Sequence, residues 1–553
     1  MDILFFSLLT NLLYYCTGKL FIQQKNFDFI GQFNIYFFGI AAISFLALIL
    51  NFFVKLSPAI NSIIYLIIIL LFFFKYRLNI KKTEINFLII STIITFILII
   101  FSKINRPDAG LYHLPFISII NDYKIIFGLN NLHFRFGHTS ILQYLSAINN
   151  NYLFKENGIS IPLASLVSFF YIYFSYDVWS VFKKKDQVNI GKIFSLIILI
   201  YITFKITRYS SFGNDAVPHL IFFYLISYVL KNNIREINFS KLLLISIFIF
   251  INKPTLGLVF IIPGIIFFMK KNIFSIKLLK IFFSFPIILL YVWIIKNIII
   301  SGCAIYPMKI TCILDLPWTN EMQINKVYTE SEAWSKGWPD RKNKNIEMKE
   351  FNENFNWINA WSNKHLKYIL KIILPFLFIL FIINTFLINQ KSKSTIEKDK
   401  EADKRFYILI ITCFFGVISF FLIFPIYRYG YSFLISFMAL ISIFFIKKYK
   451  FTDKSRSLFK VIFFICIFLF VAKQSQKIYK NSHNDIWPNI YTLNQNGKIN
   501  QYDKKRIGND FVYYQAISGD NLCMYLNSPC TSYHLQKNLN HKSILGYSFL
   551  TIN

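Results

Sequence analysis

Asp108 opens the most chemically loaded stretch of this chain. The stretch begins Asp108-Ala109-Gly110-Leu111-Tyr112-His113-Leu114-Pro115, runs on through His133, Arg135 and His138, and has Arg106 just ahead of it. A carboxylate among imidazoles and guanidiniums can take a proton while the cations beside it hold an anion. A second group, RYSSFGNDAVPHL, brings Arg208 and Asp215 to the start of an apolar run. Asn214-Asp215 ahead of Ala216-Val217-Pro218 also reads as a plain helix cap. Lys253 lies amid apolar sequence in Asn252-Lys253-Pro254, and Arg428 lies between two apolar runs in FPIYRYGYSF. Ionisable groups at a bilayer edge are costly unless they pair or act. Misplaced cations there invite an anionic partner such as a lipid phosphate.

The elements that must hold these groups are membrane helices. Of 553 residues, 55% are hydrophobic and only 16% charged, and the mean hydropathy is +0.49. An ordinary soluble domain carries about 25% charged residues, so the composition excludes a disordered chain and argues against a soluble enzyme. One bilayer crossing takes about 20 apolar residues. Candidate spans are 3–16, 34–54, 59–74, 86–102, 159–181, 190–206, 214–230, 241–251, 255–269, 278–300, 368–388, 406–425, 430–446 and 459–472. The expected fold is therefore an all-α polytopic membrane protein with about 12–14 transmembrane helices. Segment 241–251 is too short to cross alone; either it continues past Pro254, or 241–269 forms two short tilted helices. Asp2 and the lack of a basic leader make the first segment a membrane helix rather than a signal peptide.

Lys and Arg number 59 against 27 Asp and Glu, a formal net charge of +32. The excess collects in alternate short connections: Lys75, Arg77, Lys81, Lys82; Lys183–Lys185; Lys231, Arg235, Lys241; Lys270, Lys271; 391–405; 447–456. That distribution is a topology signal, with these connections cytoplasmic, and it removes nucleic acid as the expected partner. The opposite, extracytoplasmic face then receives three long segments: 103–158 and 301–367 within a membrane domain 1–472, and a small tail domain 473–553. In the first of these, Pro115 suits a first helical turn, and Leu114, Ile117, Ile120 and Tyr123 recur at helical spacing. This predicts an amphipathic helix lying on the membrane surface.

Cys16, Cys413 and Cys466 fall in expected spans, whereas Cys303, Cys312, Cys523 and Cys530 fall on the extracytoplasmic face. An even number on one side suits an oxidising compartment, and both local and cross pairings are open. No Cys-x-x-Cys spacing points to zinc. Trp318, Trp334, Trp338, Trp357 and Trp361 crowd segment 301–367; such rings pack on sugars but also anchor interfaces and fill cores.

The opening Asp-x-x-x-Tyr-His-Leu-Pro just after an early span resembles the first extracytoplasmic loop of GT-C glycosyltransferases. The fuller pattern is similar to one bacterial branch associated with surface-polysaccharide loci. It is carried by GLYHLPFISIINDYKIIFGLNNLHFRFGHTS, ISGCAIYPMKITCILDLPW and GDNLCMYLNSPCTSYH. The resemblance implies a GT-C-like membrane enzyme of the bacterial inner membrane. Such an enzyme transfers a sugar from a polyprenyl-phosphate donor to an envelope glycan or glycolipid acceptor, on the extracytoplasmic side. It places Asp108 as catalytic base with His113 beside it. Tyr112, Arg106, Arg135, His133, His138, Arg208, Asp215, Lys253 and Arg428 are the expected substrate-binding residues. No tightly bound cofactor is expected; many GT-C loops carry adjacent acids, whereas here Ala109-Gly110 follows Asp108, so a divalent metal is an open but not the favoured expectation. Two other polytopic classes compete. A polysaccharide polymerase or ligase would place its key residues in a later loop. A lipid or solute transporter would show ionisable groups near mid-membrane and internal pseudo-symmetry.

Overall fold

A computed structural model describes residues 1–22, 29–76, 80–104, 107–182, 189–205, 215–270, 284–389, 391–395, 400–446, 449–451, 453–491, 502–508, 510–516, 522–525, 528–532, 535 and 538–552. All fourteen apolar segments are helical over most of their length. Among the described residues nine helices are long and apolar enough to cross a membrane: Asp2–Phe21, Phe29–Phe53, Pro58–Tyr76, Lys82–Ile99, Glu156–Phe182, Ile358–Ile388, Asp403–Ile423, Tyr427–Ile446 and Arg456–Asn481. The remaining five apolar segments form shorter helices: Ile190–Lys205, Ala216–Lys231, Phe239–Asn252, Pro254–Met269 and Phe285–Ser301.

The 241–269 stretch is two separate pieces. Proline lacks an N–H and pushes the residue before it toward extended backbone. Lys253 accordingly sits at φ −151°, ψ 93°, ending Phe239–Asn252, and a 3₁₀ turn Pro254–Phe260 leads into Ile261–Met269. Close packing of the first two helices depends on glycine. A Cβ on Gly39 would come within 1.9 Å of the Tyr14 carbonyl oxygen, and one on Gly18 within 1.9 Å of that of Ile35.

Helix ends sort onto two faces. On one, Lys19 pairs with Glu84 at 2.5 Å, Tyr76 donates to the Lys19 carbonyl, Lys270 donates to the Ile237 carbonyl, and Arg405 donates to the carbonyls of Leu230 and Asn232. This face holds the described members of the basic connections, among them Lys75, Lys81, Lys231, Lys241 and Lys270; Arg77, Lys183–Lys185 and Lys271 lie outside the described residues. The other face carries the segments after Ile99, Asn252, Ser301, Ile423 and Asn481.

On that second face the first long segment differs from expectation. Helix Leu114–Asp122 does not lie on a surface: Leu114 to Asn121 are all buried. Its polar positions find partners inside the protein instead of water. Asn121 donates to the carbonyls of Leu56 (2.7 Å) and Ala147 (2.9 Å) and accepts from the Tyr525 hydroxyl (3.0 Å). The tail supplies that cover. The last helix runs on to Asn481, and strands beyond it form a three-stranded sheet (Tyr502–Ile507, Phe511–Ala516, Cys530–Thr531) and a hairpin (Leu539–Ile544, Tyr547–Ile552). The hairpin docks on the first long segment: Phe127 stacks on Phe549, and its N–H and carbonyl bond Ser548 and Leu550. The cysteines pair locally, Cys303 with Cys312 and Cys523 with Cys530; Cys16, Cys413 and Cys466 are free and buried. Trp357 and Trp361 are core residues of the second long segment, while Trp318 packs on Phe127 and Phe549.

Candidate active site

Three local features deliver the site. A π-helical turn, Ala109–His113, carries Asp108 at its start and feeds Leu114–Asp122, with Pro115 in the first turn as its missing N–H allows. The break before Pro254 leaves Lys253 at a helix end. Pro425 parts Lys400–Ile423 from Tyr427–Ile446 and puts Arg428 in the first turn of the latter.

These ends meet in one continuous ion network. Arg428 Nη1 donates to Asp108 Oδ2 at 2.8 Å and lies 3.9 Å from Asp215 Oδ2. Lys253 Nζ donates to Asp215 Oδ1 at 2.6 Å and to the Arg428 carbonyl at 2.9 Å. Arg135 Nη1 lies 3.7 Å from Asp108 Oδ1. The sequence separation is as large as 320 residues, between Asp108 and Arg428. Exposure of the side chains differs along the chain of charges: 21% for Asp108, 35% for Arg135 and Arg428, 31% for Asp215 and 5% for Lys253. Asp108 and both guanidiniums are thus reachable by a ligand, whereas Lys253 is a sealed support.

Tyrosines complete the surroundings. Tyr112 lies under the Arg135 guanidinium at 5.3 Å, and Tyr429 lies within 4.6 Å of Lys253 Nζ and 5.2 Å of the Arg428 guanidinium carbon. Burial pushes the Tyr112 hydroxyl pKa up, so it acts as a neutral phenol. His219 bolts the network from beneath. A carbonyl only accepts, so His219 Nε2–H donates to the Arg428 carbonyl (3.0 Å), and its Nδ1 takes the Ser432 hydroxyl (2.7 Å). Tyr431 donates to the Asp215 carbonyl at 3.3 Å. Tyr429 and Tyr431 were not among the expected site residues. The aromatic run around Arg428 was the readable signal.

The three histidines of the first segment play a different part from the one their density suggested. Gln143 Oε1 accepts from the Ser140 N–H, which fixes its amide so that Nε2 donates to His113 Nδ1 at 2.9 Å. Burial lowers the His113 pKa to about 4, leaving a neutral imidazole whose ring packs on Tyr112. His133 caps the 3₁₀ turn Phe134–His138 by accepting the Arg135 N–H, and so aims Arg135; His138 packs edge-on against Tyr306. Burial holds both pKa values near about 3. Direct ion pairing thus joins Asp108, Arg135, Asp215, Lys253 and Arg428; Tyr112 and His133 contact Arg135, His113 packs behind Tyr112, and His138 packs on Tyr306. Arg106 and Arg208 lie outside the described residues.

A multi-helix protein with spanning-length apolar helices and an ion network gathered on one face defines a polytopic membrane protein class. Within it, this chain belongs to the family described as "Domain of unknown function (DUF8201)", whose family model matches residues 1–435. No curated protein and no solved structure matches the chain.

Proposed function

We propose that this protein is a GT-C-like glycosyltransferase of the bacterial inner membrane. It moves a sugar from a polyprenyl-phosphate donor to an envelope glycan or glycolipid acceptor, with the site extracytoplasmic. The observation that carries the reading is Asp108 held between Arg135 and Arg428 at the membrane-end face. At rest Asp108 Oδ2 is occupied by the hydrogen bond from Arg428 Nη1, with Arg135 Nη1 3.7 Å from Oδ1. A phosphate entering the site competes for the same donors, since guanidinium binds carboxylate and phosphate by the same planar fork. Donor binding therefore frees the base it needs.

The acceptor hydroxyl oxygen then attacks the anomeric carbon, and Asp108 takes the hydroxyl proton. The bond from that carbon to the phosphate oxygen breaks, and its electron pair leaves with the polyprenyl phosphate. Arg135 and Arg428 hold the growing negative charge. One displacement at an oxocarbenium-like centre inverts the sugar. The basic connections on the far face support the extracytoplasmic placement. The test compares lipid-linked glycans from cells carrying native protein or Asp108→Asn at equal protein level. Loss of one transfer product is expected; unchanged glycans refute the reading.

A further inference from the structure

Away from the ion network, the second long segment folds around an open cleft of about 230 Å³. Its wall includes Arg341, Lys342, Glu350, Asn356 and Asn359, with Ile346 and Phe351 as its apolar lining. Drug-sized ligands occupy pockets of roughly 300–1,000 Å³, so this cleft suits something smaller. Its chemistry is specific. The Arg341 guanidinium is stacked over Trp338 at 3.7 Å and pinned by bonds to the carbonyls of Trp338 (3.1 Å) and Lys344 (3.2 Å). Those bonds use two of its five N–H donors, and its enclosed Nε–H has no acceptor among the described residues. The Glu350 carboxylate and the Lys342 ammonium make no ion pair among the described residues, and the Asn359 amide makes no hydrogen bond there. Half-buried Ile346 gives an apolar surface below these groups, backed by buried Phe351, on which Trp338 packs at 5.1 Å.

A rigid apolar floor under unspent, planar donors and acceptors of both kinds matches one ligand chemistry. A sugar ring offers C–H faces to the floor and vicinal hydroxyls, each donor and acceptor, to carboxylate, amide and guanidinium. A lipid tail leaves those groups unpaired, and a free phosphate meets Glu350. The cleft is also tied to the ion network. Trp361 Nε1, one residue past the wall residue Ala360, donates to the Pro425 carbonyl at 2.7 Å, three residues before Arg428. Ser335 Oγ reaches the Ile423 carbonyl at 3.4 Å on the same turn.

We propose that this cleft is a glycan subsite that holds a sugar ring of the acceptor. Its role in transfer rests on the glycosyltransferase reading, but sugar binding does not. The probe is the oligosaccharide fraction released by mild acid from the source cell's own surface glycan. It is titrated into full-length protein in nanodiscs and followed by saturation-transfer NMR. Glu350 and Asn359 are exposed and spend no side-chain bond among the described residues. The double variant E350Q/N359A should therefore unfold at the native temperature, yet bind the oligosaccharide at least tenfold more weakly. Asp108→Asn should bind it as native does while transferring at least a hundredfold more slowly. Native-like binding by the double variant overturns the subsite, as does no binding to native protein, or displacement of the sugar by inorganic phosphate or anionic-lipid vesicles. None of those results touches the transferase reading, which fails if Asp108→Asn transfers as fast as native protein.

Discussion

Asp108→Asn separates catalysis from binding in a way the geometry dictates. The substitution keeps size and leaves an oxygen to accept from Arg428, but it removes the proton acceptor. General-base contributions run to about 10²–10⁴-fold, so kcat should fall by that factor, or about 2.7–5.5 kcal/mol of barrier. Stability should barely move. The paired side chains are 21% and 35% exposed, and solvent-screened pairs of this kind contribute about 0–1 kcal/mol. The sign of the change in donor binding is the sharper test. Native Asp108 competes with the donor phosphate for Arg428; asparagine competes less. The KM for the lipid-linked donor should therefore stay level or fall while kcat collapses. Arg428→Gln should do the reverse to KM, raising it, because a phosphate-holding donor is lost along with about 10²–10³-fold in kcat. The assay is single-substrate kinetics with radiolabelled lipid-linked sugar in nanodiscs, with thermal unfolding run beside it. A rise in donor KM for Asp108→Asn equal to its loss in kcat/KM would refute the base assignment and make Asp108 a binding residue.

Lys231→Met should destabilise the protein without touching a site on the other face. It strands Asp177, 2% exposed and paired at 2.5 Å, and stranding a buried charge costs about 3–5 kcal/mol; adding Asp177→Leu should restore the unfolding temperature. A membrane-impermeant maleimide added to intact cells should label this protein only after reduction, through Cys303, Cys312, Cys523 and Cys530; labelling that needs membrane disruption would reverse the orientation. Acid should weaken the fold through the first segment. Burial puts the His113 pKa at about 4 and those of His133 and His138 at about 3, below the ordinary 6.5 or so. The unfolded chain thus binds more protons in that window. Stability is full above about pH 6.5 and falls as pH drops toward 4. A melting temperature flat from pH 7 to 4.5 would contradict this, and His113→Asn should flatten part of the slope.

How much of this was legible in the sequence depended on range. The apolar runs declare themselves because a helix meets lipid all round, and Pro254 declares the break that exposes Lys253. That the basic connections share one face followed from where Lys and Arg collect. Helix Leu114–Asp122 was misread because periodicity reports which positions are polar, not what satisfies them. Asn121 looks like a water-facing residue until Leu56, Ala147 and Tyr525 arrive from 65, 26 and 404 positions away. The histidines show the same limit of range: three imidazoles beside an acid suggest chemistry, and only the fold shows that Gln143 and the Arg135 N–H each engage Nδ1 of one of them. Pairing of Asp108 with Arg428 left no local trace at all, and the choice of local over crossed disulfides awaited the fold.

Charge balance gives Asp215 a role distinct from that of Asp108. Among the described residues the network sets Arg135, Lys253 and Arg428 against two carboxylates, one net positive charge. On the transferase reading the bound donor is a phosphodiester with one negative charge, and the leaving monoester ends near −1.5 to −2. When Asp108 accepts the acceptor's proton, one carboxylate is neutralised and the network rises to two positive charges in the same step. Ligand and protein charge change together, so no counter-ion has to move. Asp215 must then stay ionised throughout, and its 2.6 Å contact with Lys253 serves that end. Asp215→Asn gives the resting site a surplus positive charge. It should bind polyprenyl phosphate product more tightly, by about tenfold for one added charge-assisted bond of roughly 1.5 kcal/mol. Turnover should slow through product release, with inhibition by added polyprenyl phosphate strengthened. Weakened product inhibition in Asp215→Asn would mean that Asp215 merely orients Lys253, and that the net charge of the network is incidental to the reaction.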